Sequence, residues 1–251
     1  MYYGALEAGG TKMVCAIGDA DKNIIDRISI PTGTPDQSVP AMIDYFKKYD
    51  ISALGIGTFG PADINPNSPT YGSIMRSPKK AWEGFSLYKA FTDALGCLVV
   101  VDTDVNAAAW GEYLYGALKG LNSGMYLTVG TGIGGGIISD GRLIHGMEHP
   151  ETGHILIPRR TGDDIPCTCR FHQSCVEGLA SGPMLERRTG MKGKDIPADW
   201  FELSHNQTLH FSMFSAAQQR SAVLTLLFYH TAARFKRNRI KEKQASFVFL
   251  S

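Results

Sequence analysis

The stretch ETGHILIPRRTGDDIPCTCRFHQSCVEG, residues 151–178, holds three of the chain's five cysteines and two of its seven histidines. Cys169-x-x-His172-x-x-Cys175 brings three soft or borderline donors into one loop, and His154 lies fifteen residues before Cys169. Two thiolates and two imidazoles make a closed tetrahedral set for Zn2+. Cys167 is then left over, or competes with Cys169 for the ion. Zinc held in this way is structural: it pins a loop too polar to order itself by burial. The alternative is a chance cluster of free thiols in a surface loop. Glu151 and Glu177 flank the donors, so a metal that clamps the loop also fixes two carboxylates, which accept hydrogen bonds from a polyhydroxyl ligand.

Two glycine-rich turns suit a different chemistry. Gly9-Gly10-Thr11-Lys12 lies between the apolar runs YYGALEA and MVCAIG, and GTGIGG (130–135) lies between MYLTV and GIIS. Glycine lets the backbone come close to a ligand and adopt positive φ, so successive N–H groups can face one concavity. A threonine hydroxyl adds a donor. Two such turns across a cleft would grip a polyphosphate from both sides; the alternative is that each merely closes a tight hairpin. Neither turn is a Walker A loop, and neither is a Rossmann fingerprint, because a strand rather than a helix follows each.

A third group, Asp102-Thr103-Asp104-Val105-Asn106, follows the apolar run CLVVV. Open α/β sheets place ligands at the C-terminal ends of their strands. A carboxylate here can accept a hydroxyl proton as general base toward a phosphate. Equally, Asp104 or Asp102 can cap the helix that follows.

These groups must be positioned by strands and helices legible in the patterning. Strand, turn, strand, turn, strand is read over YYGALEAGGTKMVCAIGDADKNIIDRISI, and again over GMYLTVGTGIGGGIISDGRLIHG. Two copies of one plan suggest an internal duplication into two lobes. ALGIGTFG (53–60) reads as a buried strand ending at Gly60-Pro61, and FSLYKAFTDALG (85–96) as a helix stopped by glycine. With 251 residues, 43% hydrophobic and 20% charged, the chain suits a large α/β domain or two lobes. A net charge of +1 makes no electrostatic case for nucleic acid or an anionic membrane. No apolar run reaches the roughly 18 residues of a spanning helix. Few, clustered, odd-numbered cysteines and the lack of a secretory pattern in MYYGALEAGGTK point to a cytoplasmic setting.

Taken in order, GALEAGGTK, GIGTFGPAD, VDTDVNAAAWGE, TVGTGIGGGII, HPETGHI and CxCxxHxxCxEGLASGP resemble the ROK group of sugar kinases (repressors, open reading frames, kinases) over roughly residues 1–194. GMEHPETGHI and TFGP look most like its bacterial fructokinase branch. The resemblance implies an actin-like ATPase (ribonuclease H-like) α/β fold: two lobes around a cleft, with a zinc-binding loop. It implies an N-terminal lobe over 1–115 and a C-terminal lobe over 116–199. The implied activity is ATP- and Mg2+-dependent phosphorylation of a hexose, fructose first, with glucose or mannose as alternatives. It matches Asp104 to the general base and Asn106, Glu151, His154, Glu177 and Gly60 to the sugar. Gly10, Thr11, Lys12, Thr131 and Gly132 match the phosphate positions, and His154, Cys169, His172 and Cys175 the zinc ligands. It also implies a homodimer. Repressor members carry an N-terminal helix-turn-helix; here the first glycine turn falls within the first dozen residues, so the kinase is expected.

Beyond GKDIPAD the family pattern stops. No glycine follows Gly193, and a basic run, RFKRNRIKEK, precedes SFVFLS. Residues 200–251 are therefore expected to be an atypical tail from a shifted frame or a truncated gene, with a solvated basic run. That expectation brings a rival: a catalytically weak sugar-binding remnant.

Overall fold

The computed structural model describes residues 1–77, 79–146, 148–159, 161–192, 195 and 196, together with the backbone of 223–228. The chain divides into two compact units, one of Met1–Ala108 with His145–His149, the other of Ala109–Ile144 and the described residues from Pro150 onward.

The first unit is built on a five-stranded sheet. Its strands are β1 (Tyr2–Ala8), β2 (Lys12–Asp19), β3 (Ile24–Pro31), β4 (Ile51–Thr58) and β5 (Leu98–Thr103), in the order β3-β2-β1-β4-β5. The first three form an antiparallel meander; β4 and β5 add in parallel. Helix α1 (Pro35–Phe46) buries Val39, Met42, Tyr45 and Phe46, and α2 (Leu87–Leu95) buries Leu87 and Phe91. These join Leu6, Ile17, Leu54, Ile56, Val99 and Val101 in one core. The helix expected over 85–96 is thus α2: Ser86 Oγ accepts the Lys89 N–H at 3.1 Å, and Gly96 ends it at φ +64°. Tyr71 Oη closes part of the β5 edge, accepting from Val101 N at 2.7 Å and donating to Val101 O at 2.9 Å.

Helix α3 (Asp104–Tyr115) follows β5 without a break. The second unit repeats the meander plan with β6 (Gly124–Val129), β7 (Ile133–Ser139) and the short β8 (Arg142–Leu143). A parallel strand, β9 (Val223–Phe228), pairs with β6 to give the order β8-β7-β6-β9. Helices α4 (Val176–Ala180) and α5 (Gly182–Thr189) contribute Val176, Leu179 and Met184 to a core with Leu127, Val129 and Ile133.

The second glycine turn is shorter than GTGIGG suggests. Gly134, Gly135 and Gly136 lie inside β7, opposite Thr128, Leu127 and Tyr126. The reason is close approach: a Cβ on Gly135 would lie 2.6 Å from Thr152 Oγ1. The tail expected over 200–251 lies outside the described residues, apart from β9. Among the described residues no helix is long and apolar enough to cross a membrane.

Candidate functional site

In the first unit the chemistry gathers where β5 runs into α3. The cap is neither aspartate: Thr103 Oγ1 accepts the Asn106 N–H at 3.2 Å, and Asp104 is the first helical residue. Asp102 works as a hub. Its Oδ1 accepts from Asn106 Nδ2 at 2.8 Å and Thr103 N at 2.7 Å, and its Oδ2 lies 2.7 Å from His145 Nε2. A carboxylate only accepts, so the Asn106 amide is oriented with its nitrogen on Asp102 and its oxygen turned away. Asn106 is fully buried, and its Oδ1 has no hydrogen-bond partner among the described residues. A buried acceptor left alone costs about 1–3 kcal/mol, so this atom needs a donor, from water or from a ligand. Half-buried Asp104 accepts from Val105 N at 2.9 Å through Oδ1.

In the sequence His145 shows only as the end of the strand pattern RLIHG. Its meeting with Asp102 spans 43 residues of sequence, and no local pattern announces it. Gly57 on β4 sets how closely α3 approaches: a Cβ there would lie 3.0 Å from Ala107 Cβ and 3.3 Å from Asp104 Cα. Gly57→Val should cost about 1–3 kcal/mol by overpacking against Ala107 and Asp104; a thermal melt reads the effect.

The first glycine turn, also in this unit, is closed by Gly9 N on Lys12 O at 3.0 Å and braced by Thr32 Oγ1 on Gly9 O at 2.8 Å. Thr11 and Lys12 are exposed and Gly10 half-buried. The Phe59 N–H donates to Ala8 O at 2.8 Å, which sets the exposed, cis-linked Gly60–Pro61 beside the end of β1.

In the second unit the other turn is held from two sides. Gly182 N donates to Gly130 O at 2.7 Å, and Ile133 N donates to Glu177 Oε2 at 3.0 Å. Thr131 stays exposed. The segment Glu151–His154 packs on β7, because Gly153 leaves no room for a Cβ against Ile133 O. Glu151 is exposed and His154 half-buried.

Here the metal donors converge. One ligand atom each from His154, Cys169, His172 and Cys175 lies within 4.8 Å of every other. Cys169 Sγ is 3.7 Å from His154 Nδ1 and 3.5 Å from His172 Nδ1, and Cys175 Sγ is 3.8 Å from His154 Nδ1. Bonds of about 2.3 Å to sulfur and about 2.0 Å to nitrogen around a tetrahedron give S···N separations of about 3.5 Å, so the set fits zinc. Burial, with Cys169 and Cys167 close by, pushes the Cys175 thiol up to about 11; a bound cation would reverse this. Gly178 N donates to Cys175 Sγ at 3.3 Å and Phe171 N to Cys169 Sγ at 3.4 Å. Cys167, though near Cys175, is not one of these four: it packs against the core and over Gly178. The loop is anchored to α5 by Arg188, whose two nitrogens reach Asp163 at 3.0 and 2.7 Å and hold its carboxyl below the usual carboxylate range.

The expected site residues therefore fall into two sets. Gly10, Thr11, Lys12, Gly60, Asp104 and Asn106 belong to the first unit; Thr131, Gly132, Glu151, His154, Cys169, His172, Cys175 and Glu177 belong to the second. Two units, a meander with two added parallel strands and a meander with one, each with a glycine turn, define an α/β fold of the actin-like ATPase class. Within that class the chain belongs to the ROK family, which it matches over residues 3–228, well past the limit near residue 194 legible in the motifs. It is 48% identical over 193 residues to a relative from Bacillus subtilis, covering 77% of this chain and 64% of that protein. With the fructokinase of Pediococcus pentosaceus it shares 45% identity over 199 residues, 79% of this chain and 69% of that one. A Streptomyces griseus ROK glucokinase, solved with glucose and AMPPNP, superposes with a TM-score of 0.60 at 32% identity, covering 74% of this chain and 59% of that structure. The chain thus spans about two thirds of the length of these relatives.

Proposed function

We propose that the chain is an ATP- and Mg2+-dependent hexose kinase that converts D-fructose and ATP to fructose 6-phosphate and ADP. The observation that carries it is the Asp102–Asn106 corner, where a buried amide oxygen waits for a donor two residues from Asp104. Asp104 takes the proton of the acceptor hydroxyl, whose oxygen bonds to the γ-phosphorus as the bridging P–O bond to ADP breaks. Asn106 Oδ1 accepts from a sugar hydroxyl, and Glu151, His154 and Glu177 supply further sugar contacts, with Gly60. Gly10, Thr11 and Lys12 in one unit, and Thr131 and Gly132 in the other, bind the triphosphate. Mg2+, when bound, neutralises charge on the β- and γ-phosphates. The four Cys and His donors hold a structural Zn2+, so His154 both ligates and faces the sugar. The same reading includes a cytoplasmic homodimer, without nucleic-acid or membrane partners.

Fructose is preferred over glucose and mannose because identity is 45% to a fructokinase and 32% to a glucokinase. A coupled assay with ATP, Mg2+ and a panel of hexoses tests this. We expect kcat/KM for fructose at least about tenfold above the other sugars, a difference that a few hydroxyl contacts supply. Equal turnover of glucose would move the assignment to a glucokinase or mannokinase. The loss of the family pattern after GKDIPAD motivates one rival, a sugar-binding remnant; hexose binding by calorimetry without any for MgATP would establish it.

A further inference from the structure

We propose that Glu177 is a positioning residue of the second glycine turn, holding the Gly130–Ile133 backbone in the shape that takes nucleotide phosphate. The inference rests on the reading of that turn as a phosphate site. Its basis is a contact that joins residues 44 apart in sequence: Glu177 Oε2 accepts the Ile133 N–H at 3.0 Å. The approach is close enough to demand glycine next door, since a Cβ on Gly132 would sit 2.7 Å from the same oxygen. Glu177 is itself held in place. It lies in the first turn of α4, two residues past Cys175, whose sulfur caps that helix by accepting Gly178 N. Gly182 of α5 pins the opposite end of the turn through Gly130 O. The turn is thereby clamped at both ends from the α4–α5 segment.

The electrostatics sharpen the point. A carboxylate beside a phosphate turn repels the phosphate, so Glu177 contributes nothing to anion attraction. Its contribution to the turn is geometric: an acceptor oxygen held against one backbone amide. Two variants separate geometry from charge. Glu177→Ala removes the acceptor. Glu177→Gln keeps an acceptor oxygen for Ile133 N and removes the repulsion.

The test uses the full chain with two readouts, amide hydrogen exchange across Gly130–Ile133 and the MgATP dissociation constant by calorimetry. Glu177→Ala should speed exchange at Ile133 and weaken MgATP roughly tenfold, the scale of one hydrogen bond. Glu177→Gln should keep wild-type exchange and bind MgATP as tightly as wild type or more so. A Glu177→Ala protein that binds MgATP normally, with only its hexose affinity reduced, overturns the inference while leaving the kinase reading intact. A Glu177→Gln protein as defective as Glu177→Ala also overturns it, because the charge would then be what matters. A wild-type chain that ignores MgATP overturns this inference together with the kinase reading.

Discussion

Asp104→Asn should lower kcat on the preferred hexose by about 10²–10⁴ while leaving hexose affinity within about threefold. The substitution preserves shape and keeps an acceptor oxygen for the Val105 N–H that Asp104 now holds at 2.9 Å. The start of α3 should therefore survive, and the melting temperature should barely move. What is lost is the capacity to take a proton. Asp102 cannot stand in, because its oxygens are already committed to Asn106, Thr103 and His145. Loss of Asp102 should act differently: with no acceptor left for the Asn106 amide, Asp102→Ala should raise the hexose KM more than it lowers kcat. Steady-state kinetics with hexose varied at saturating MgATP, plus calorimetry for sugar binding, read both parameters. A near-normal kcat for Asp104→Asn would remove this residue from the mechanism.

Much of this arrangement was legible in the sequence because its signals are local. A glycine turn between two apolar runs is a hairpin wherever it occurs, so β1–β2 and β6–β7 could be placed from pattern alone. Cys169, His172 and Cys175 fall at a spacing that a single loop can bring to one ion, and they do meet His154. The choice between Cys167 and Cys169 was open in the sequence, since two residues of spacing decide nothing. In the fold Cys167 packs inward on the core while Cys169 turns to the histidines. Long-range partnerships were hidden. His145 on Asp102 and Glu177 on Ile133 join residues more than forty positions apart, and neither partner's surroundings mark the other. The glycines of β7 misled for a related reason. Glycine marks a turn locally, but here a neighbour's side chain, Thr152, required its small size within a strand. The cap of α3 was open in the sequence because Asp102, Thr103 and Asp104 are all good cap residues, and only backbone geometry selects Thr103 among them.

The separation of Cys167 from the donor set yields the second large effect. The purified chain should carry one zinc per molecule, Cys169→Ser should abolish retention through dialysis, and Cys167→Ser should retain it. A serine hydroxyl is a far poorer zinc ligand than a thiolate, and three remaining donors leave an open site. Chelation of the wild-type protein should act on stability as well. With zinc at about a thousand times its dissociation constant, its removal costs about 4 kcal/mol. For a chain of this size that is a fall in melting temperature of about 8–16 °C, which zinc add-back should reverse. The cause is structural. The segment from Ile157 to Ser174 is bounded by the candidate ligands and is also held by Arg159 on backbone carbonyls, Arg188 on Asp163, Arg187 on Pro166 O and Thr168 on Gly178 O. Without the ion, the buried Cys175 thiol stays protonated at neutral pH, and its contact with His154 Nδ1 is a weak one at 3.8 Å. The loop then loses its fourfold crosslink, and with it the placement of Glu151 and His154. Metal analysis of the two cysteine variants by plasma emission, alongside melts with and without chelator, gives the answer. Zinc retained by Cys169→Ser and lost by Cys167→Ser would reverse the ligand assignment, and a melt indifferent to chelator would remove the ion from the fold.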